Sequence, residues 1–388
     1  MSRLEELIKE FCFSGTERIS IGSIVNYEQP SKYLVGSTDY NDDFSTPVLT
    51  AGQTFILGYT NEENNLYNAS KENPVIIFDD FTGAFKWVDF PFKVKSSAMK
   101  MLTANPEKTT LRYIYHIMGN IGFSSDEHKR LWISRYSEIK IPLPPLPVQQ
   151  EIVRILDNFT NLTAELTAEL TARKKQYEYY ASALIKGNSD NLEYDKIALG
   201  DVAEFTYGFT DKAKESGSAR FIRITDIGDN GCLKIDNEKY IDLTEESEKY
   251  LLKTGDIIMA RTGATYGKTL YMPNDEPAVY ASFLIKITLD QNKILNRFYW
   301  HFTRTELYWA QANKLVSTGG QPQFNTGAIS RVVVPVPPIK VQNRIVELLD
   351  RFDVLCNDIS IGLPAEIEAR RKQYEYYRDK LLTFKELA

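Results

Sequence analysis

The sequence predicts an α+β protein. Two domains with twisted, mixed sheets are separated by two long antiparallel helices, an intramolecular coiled coil with pseudo-two-fold symmetry. Three observations predict it: a duplicated proline-to-helix segment, a duplicated aromatic segment at a nearly equal spacing, and short β-branched runs in the stretches between. Residues 141–159 read IPLPPLPVQQEIVRILDNF and residues 334–352 read VPVPPIKVQNRIVELLDRF, an offset of 193. Residues 173–180, RKKQYEYY, return at 370–377 as RRKQYEYY, an offset of 197. Repeats in the same order at almost the same spacing mark a chain built from two equivalent halves.

The elements follow in order. Leu4, Leu7, Ile8 and Phe11 share one side of a short helix at the start of the chain. The opening MSRLEELIKEF holds acids and no apolar core, so no secretory leader is expected and the chain is expected to be cytoplasmic. Ile19–Ile24 opens the first domain, and Ile197–Val202 opens the second in the same way. Pro74–Phe78 with Thr82–Lys86 mirrors Gly255–Met259 with Thr262–Lys268. Such β-branched runs, parted by Gly, Asp and Asn, read as strands joined by exposed loops.

After each domain the apolar period changes from two to between three and four. Val148, Ile152, Ile155 and Phe159 begin one stripe, and Val341, Ile345, Leu348 and Phe352 begin the other. Each helix is expected to run about 40 to 45 residues, roughly 60 to 65 Å. A narrow stripe of that length needs a helix beside it. Pairing between two chains would also satisfy it, but the order domain, helix, domain, helix favours a pair within one chain. The segments are 1–141, 142–188, 189–335 and 336–388. Gly362 and Pro364 fall in the four residues gained by the second helix, where a proline kinks it. The first helix carries a tandem, Thr163–Leu166 then Thr167–Leu170, each reading TAEL. One such unit adds about 6 Å with little rotation of the apolar face, so the tandem reads as an adjustable spacer.

Composition bounds the function. Charged residues are 25% of the chain and no apolar run is long enough to cross a bilayer. Cys12, Cys232 and Cys356 are dispersed, as are His116, His128 and His301, so neither a disulfide frame nor a zinc site is spelled out. The net charge is −6. Residues 1–141 hold 15 basic and 18 acidic side chains and residues 189–335 hold 17 and 20. No segment is basic overall, so a grip on phosphates would need local patches and partner subunits.

Taken together, Tyr27–Tyr33, the PLPP and PVPP runs followed by Val-Gln, the RKKQYEYY endings and the TAEL tandem make the sequence resemble specificity subunits of type I restriction-modification systems. The resemblance covers nearly the whole chain. It implies two target-recognition domains reading double-stranded DNA, with two methyltransferase subunits docked on the helices and restriction subunits completing a nuclease. S-adenosylmethionine, ATP and magnesium would belong to those partners, with no cofactor or metal on this chain and no membrane partner. By that analogy Gln149, Ile152, Arg173, Tyr177 and Tyr180, with Gln342, Ile345, Arg370, Tyr374 and Tyr377, are docking candidates.

The DNA-contact candidates come from loops. Arg261–Thr269 has three residues between Gly263 and Gly267 where a nucleotide-binding P-loop needs four, so no phosphate cradle for a nucleotide is expected there. Its Arg261, Thr262, Tyr266 and Lys268 are candidates for DNA phosphates or a guanine edge. In Ser317–Asn325, Gln321, Gln323 and Asn325 can bond an adenine. The first domain offers Lys32, Tyr33, Thr82 and Lys86, and His128, Lys129 and Arg130 where the second has its Gln-rich loop. Polar surface turns without a partner are the plain alternative for all of them. No catalytic residue is expected. The nearest approach to the methyltransferase Asn-Pro-Pro-aromatic motif is Asn73-Pro-Val, which lacks the second proline. Two alternatives remain: a non-catalytic scaffold or inhibitor of such a complex, and a metal-dependent nuclease at Asp79 and Asp80.

Overall fold

The structure, a computed structural model, describes residues 3–52, 54–121, 130–187, 194–317, 319–358 and 360–387. The chain divides into two compact units, Met1–Ala164 with Glu368–Ala388, and Glu165–Ile367. The division cuts through both helical regions. Each unit thus holds one domain, the beginning of the helical region that follows it, and the end of the other.

The two domains share one strand order. In the first, Glu17–Ser20 pairs with Lys140–Leu143, so the domain closes where it opened. A four-stranded antiparallel sheet runs Val25–Glu28, Met99–Ala104, Val75–Asp79, Phe85–Val88. A three-stranded sheet places Thr46–Leu49 antiparallel to Ile56–Thr60 and parallel to Lys93–Val94. In the second, Asp195–Ala198 pairs with Val333–Val336. The four-stranded sheet runs Ala203–Tyr207, Leu284–Leu289, Ile257–Ala260, Thr269–Tyr271. Ala219–Ile222 is antiparallel to Tyr240–Ile241 and parallel to Ala278–Tyr280. The central strands Val75–Asp79 and Ile257–Ala260 are buried almost throughout, which explains their unbroken apolar runs. The opening helix is Arg3–Phe11, with Leu4 buried.

The first helical region is one helix, Leu146–Lys186, of 41 residues. Its burial is uneven. Val148, Gln149, Ile152 and Leu156 are buried near its start and Tyr177, Ala181 and Ile185 near its end, while no side chain between Leu156 and Tyr177 is. The TAEL tandem lies in that uncovered middle, across the division at Ala164 and Glu165.

The second region departs from expectation. It is two helices, Ile339–Asn357 and Leu363–Leu381, each of 19 residues, rather than one kinked helix of 40 to 45. The Asp358 carboxylate accepts from the Ser360 and Ile361 amides and so stabilises a turn. A Cβ on Gly362 would lie 2.6 Å from the carbonyl oxygens of Val354 and Asp358, so only glycine fits there. Pro364 then sits in the first turn of the new helix, where its missing N–H costs nothing. The contacts keep an antiparallel register: Phe159 stacks on Tyr377 at 5.2 Å and Phe352 meets Tyr180 at 6.0 Å.

Candidate nucleic-acid interface

Each domain is fastened to the helices by the same set of side chains. In the first unit Arg112 and His116 come from helix Leu111–Asn120, Asp157 from the start of the long helix, and Tyr374 from the end of the second region. His116 Nε2 lies 2.8 Å and Arg112 Nε 2.8 Å from Asp157 Oδ1, and His116 Nδ1 lies 3.2 Å from the Tyr374 hydroxyl. In the second unit Arg297 and His301 come from Asn296–Phe302. His301 Nε2 lies 2.8 Å and Arg297 Nε 2.7 Å from Asp350 Oδ1, and the Tyr177 hydroxyl lies 2.9 Å from His301 Nδ1. Even the rings recur, with Arg112 over Trp87 and Tyr115 and Arg297 over Tyr271 and Trp300.

The charges of this joint follow from its burial. Burial pulls His301 down to about 4, against the opposing pull of its bond to Asp350, so the ring is neutral near pH 7. Burial alone would raise Asp157 and Asp350. The histidine and arginine bonds reverse that and hold both carboxyls below the usual range. A neutral His301 that donates from Nε2 to Asp350 leaves Nδ1 to accept from Tyr177.

The repeated glutamines complete the attachment. Gln149 is fully buried, donating to the Lys108 and Pro144 carbonyls and accepting from the Thr109 hydroxyl and the Thr110 amide. Gln342 donates to the Lys293 and Pro337 carbonyls and accepts from the Leu295 amide. This corrects the docking set. Gln149, Ile152, Tyr177, Gln342 and Ile345 are buried within the chain and hold domain to helix. Tyr374 is partly buried against His116. Arg173, Tyr180, Arg370 and Tyr377 keep surface exposure, and the missed Tyr179 and Tyr376 are the most exposed tyrosines of the two motifs, at 70% and 60%.

In the second domain the two loops chosen from the sequence meet. Phe324 N donates to Arg261 O at 2.7 Å, Gly263 N to Pro322 O at 3.1 Å, and the Gln323 amide to the Thr262 hydroxyl at 2.9 Å. Arg261, Gln321, Gln323 and Asn325 are thereby brought together. Thr262 is buried, so it serves the junction rather than a ligand. Asn325 Oδ1 accepts from Ala328 N, capping the turn Thr326–Ile329. Tyr266 donates to Asn313. Lys268 is paired with Asp229 beside a hollow of about 470 Å³ that Arg304, Lys174 and Cys356 also line. Arg261 is not among the residues lining it.

The corresponding place in the first domain is built differently. Asp80 N donates to Ala98 O and Asp80 O accepts from Leu131 N, as Arg261 does with Phe283 and Phe324. Asp80 therefore stands where Arg261 does, and Arg130 where Gln323 does. Asp80 is buried, 3.1 Å from the equally buried Lys100 Nζ, and accepts from Trp132 N. Asp79 accepts from the Phe81 and Thr82 amides. Both carboxylates are thus committed within the fold, which overturns the nuclease alternative at Asp79 and Asp80. Thr82 lies in this exposed turn. Lys86 is a correction: it lies in strand Phe85–Val88 opposite Ile77, matching Leu270 rather than Lys268, because this turn is shorter than its counterpart. Lys32 is exposed near Glu28, and Tyr33 donates to Glu28. Burial and that bond push Tyr33 up to about 12. Arg130 is exposed, whereas His128 and Lys129 lie outside the described residues.

Among the described residues no group of three or more His, Cys, Asp or Glu side chains could hold a metal ion, and no helix is long and apolar enough to cross a membrane. The aromatic side chains around Arg261, Tyr207 and Phe283, were not singled out from the sequence. Tyr207 ends the strand Ala203–Tyr207 and Phe283 lies in the turn before Leu284–Leu289, and no spacing signals their meeting.

Comparison with known proteins agrees with this architecture. The type I restriction modification DNA specificity domain matches residues 14–173 and again 191–369. The chain is 43% identical to the EcoR124I/EcoR124II type I restriction enzyme specificity subunit of Escherichia coli, over 99% of this chain and 97% of that one. It is 35% identical to a putative type I restriction enzyme specificity subunit of Haemophilus influenzae, over 72% and 73%. Among solved structures, the S subunit of a type I restriction-modification system from M. genitalium matches with a TM-score of 0.61 at 15% identity, covering 94% of this chain and 96% of that one. A chain from a type I restriction-modification system solved for its complex assembly and conformational transition matches at 0.53 and 14% identity, covering 95% and 97%.

Proposed function

The chain belongs to the type I restriction-modification DNA specificity family, and from that premise we propose how its parts divide the work. It is the non-catalytic specificity subunit, recognising a DNA target within a complex of subunits. Residues 1–141 and 189–335 are the two recognition domains, each reading one half of a bipartite site in double-stranded DNA. The helical segments 142–188 and 336–388 set the distance between the halves. One observation carries this reading: two domains of one strand order share the same joint to the helices, yet differ at the loop surface above it. A reader of two unlike half-sites needs a constant mount and a variable face.

Methyltransferase subunits, two by the pseudo-symmetry, dock on the helices and bring S-adenosylmethionine chemistry. Restriction subunits add ATP- and magnesium-dependent cleavage. The exposed pairs Tyr179 with Tyr180 and Tyr376 with Tyr377 supply the docking surface. The partners also supply positive charge, since neither domain is basic. DNA contacts in the second domain come from Arg261, Gln321 and Gln323, and in the first from Lys32, Thr82 and Arg130.

The uncovered middle of the long helix makes the spacer testable. Four residues added there lengthen it by about 6 Å and disturb no buried side chain. At about 3.4 Å per base pair, adding or removing one TAEL unit shifts the preferred gap by one or two base pairs. Methylation mapping in cells carrying such length variants with the partner subunits measures it, and an unchanged gap would sink the ruler. The chain purified alone methylates nothing.

A further inference from the structure

We propose that Arg261 is a guanine reader pre-set between two aromatic rings, and that the half-site read by the first domain has no such reader at the matching place. This rests on the second domain facing DNA. The Arg261 guanidinium carbon lies 5.2 Å from the ring centre of Tyr207 and 5.5 Å from that of Phe283. Both rings are large, apolar and half exposed, at 43% and 53%. Arg261 Nε donates to Ser282 O at 3.1 Å, which tethers one edge of the fork. Among the described residues no carboxylate lies within ion-pair distance of it. Its two terminal nitrogens therefore keep their donors, fixed in a plane.

That arrangement suits a base edge better than a phosphate. A phosphate contact needs only positive charge within reach, and a mobile lysine supplies it. A guanine presents O6 and N7 side by side in the major groove, and a planar fork meets both at once. Ordering the fork before binding, by two rings and one tether, removes the entropic cost that a loose arginine would carry. The polar surface beside it, Gln321 and the bridged Gln323, belongs to the same face. In the first domain this set is replaced. Asp80 stands for Arg261, Ala98 for Phe283 and Gln29 for Tyr207, and the buried Lys100 ammonium meets Asp80 and donates to Gln29. Phe283 and Tyr207 are positioning residues in this scheme; Arg261 makes the contact.

The experiment maps methylation by the complete complex carrying wild type, Arg261→Lys, Arg261→Gln, Phe283→Ala or Phe283→Tyr. A wild-type complex without a bipartite target would remove the underlying reading itself. With that target established, Arg261→Lys, which keeps charge but loses the fork, is expected to relax one guanine of one half-site by about 5- to 150-fold. The other half-site and the gap stay as they are. Phe283→Ala relaxes the same position less, and Phe283→Tyr restores it. Letters unchanged in both Arg261 variants would overturn the assignment. So would an Arg261→Lys complex that keeps every letter while Arg261→Gln weakens all sequences alike, the signature of a phosphate contact. Where methylation is too weak to map, the assembled complex is titrated with duplexes differing at single base pairs. A guanine preference shown by wild type and lost in the Arg261→Lys complex supports the reader, and a preference that survives in the Arg261→Lys complex overturns it.

Discussion

At the end of the innermost strand the two domains part company, with Asp80 turned into the first and Arg261 laid on the surface of the second. At the joint to the helices the same two domains carry the same chemistry, down to the arginine stacked on two rings beside a histidine and an aspartate. The difference teaches where each kind of residue is free to change. The joint must present the same bonds to the same repeated helix sequence, so its residues are fixed in pairs. The loop surface answers only to what it meets outside. A polar residue there can become an inward ion pair, provided a partner such as Lys100 appears beneath it.

The largest effect should come from breaking that inward pair. Asp80→Ala leaves Lys100 buried, with Gln29 as its remaining partner, and is expected to destabilise the first unit by about 3–5 kcal/mol. Arg261→Ala, at the matching place, costs about 1 kcal/mol or less because its charge is unpaired and near solvent. Denaturant unfolding of both variants measures the contrast. Replacing Asp80 with Leu and Lys100 with Met together should recover most of the loss. Equal losses for Asp80→Ala and Arg261→Ala would end the claim that the two places are built differently.

A smaller effect sharpens the account of the joint. His301 sits at about 4 in the folded chain, below the value near 6.5 of an exposed histidine. The unfolded chain therefore takes up the proton first, and stability falls as pH drops from about 6.5 toward 4. Above 6.5 the contribution is fully present. Between pH 7.5 and pH 5 the loss is about 2 kcal/mol. His301→Gln removes this part of the slope, and a variant that keeps the full slope would assign it elsewhere. Asp350 sits below its usual range and contributes in the same sense at lower pH.

How much of this the sequence disclosed depends on whether partners lie in one continuous segment. The duplicated helices were legible because Val148-Gln149 and Val341-Gln342, with Asp157 and Asp350, sit in unbroken runs. Their role was not. Buried glutamines and exposed ones read alike without geometry, and so the locks Gln149 and Gln342 looked like docking residues. The joint was half legible: its tyrosines lie in the repeated motif, but its histidines looked dispersed. Arg112-Tyr-Ile-Tyr-His116 and Arg297-Phe-Tyr-Trp-His301, an arginine four residues before a histidine at an offset of 185, carried the signal. The surface around Arg261 was legible loop by loop but not as one face, because Tyr207 ends one strand and Phe283 lies in the turn before another, far apart in sequence. The break at Gly362 was underestimated. A proline alone suggests a kink, while the close approach of the Val354 carbonyl is a fact of three dimensions.

The smallest effect on stability, and a separate one on assembly, is expected in the repeated tyrosines. Within each RKKQYEYY-type motif one tyrosine turns inward to the joint, Tyr177 to His301 and Tyr374 to His116. Two positions on, Tyr179 and Tyr376 point to solvent. Helical spacing explains it, since residues two apart lie on nearly opposite faces. A motif repeated for folding alone would not need the outward ring twice. Tyr179→Ser with Tyr376→Ser should change unfolding of the chain by no more than about 0.5 kcal/mol. The same pair should weaken assembly with the methyltransferase subunits by about 30-fold or more, as the loss of central aromatic anchors does. Titration of the labelled chain with those subunits reads the second number independently of the first. Unchanged assembly would confine the motif to its inward role and move the docking surface elsewhere on the helices.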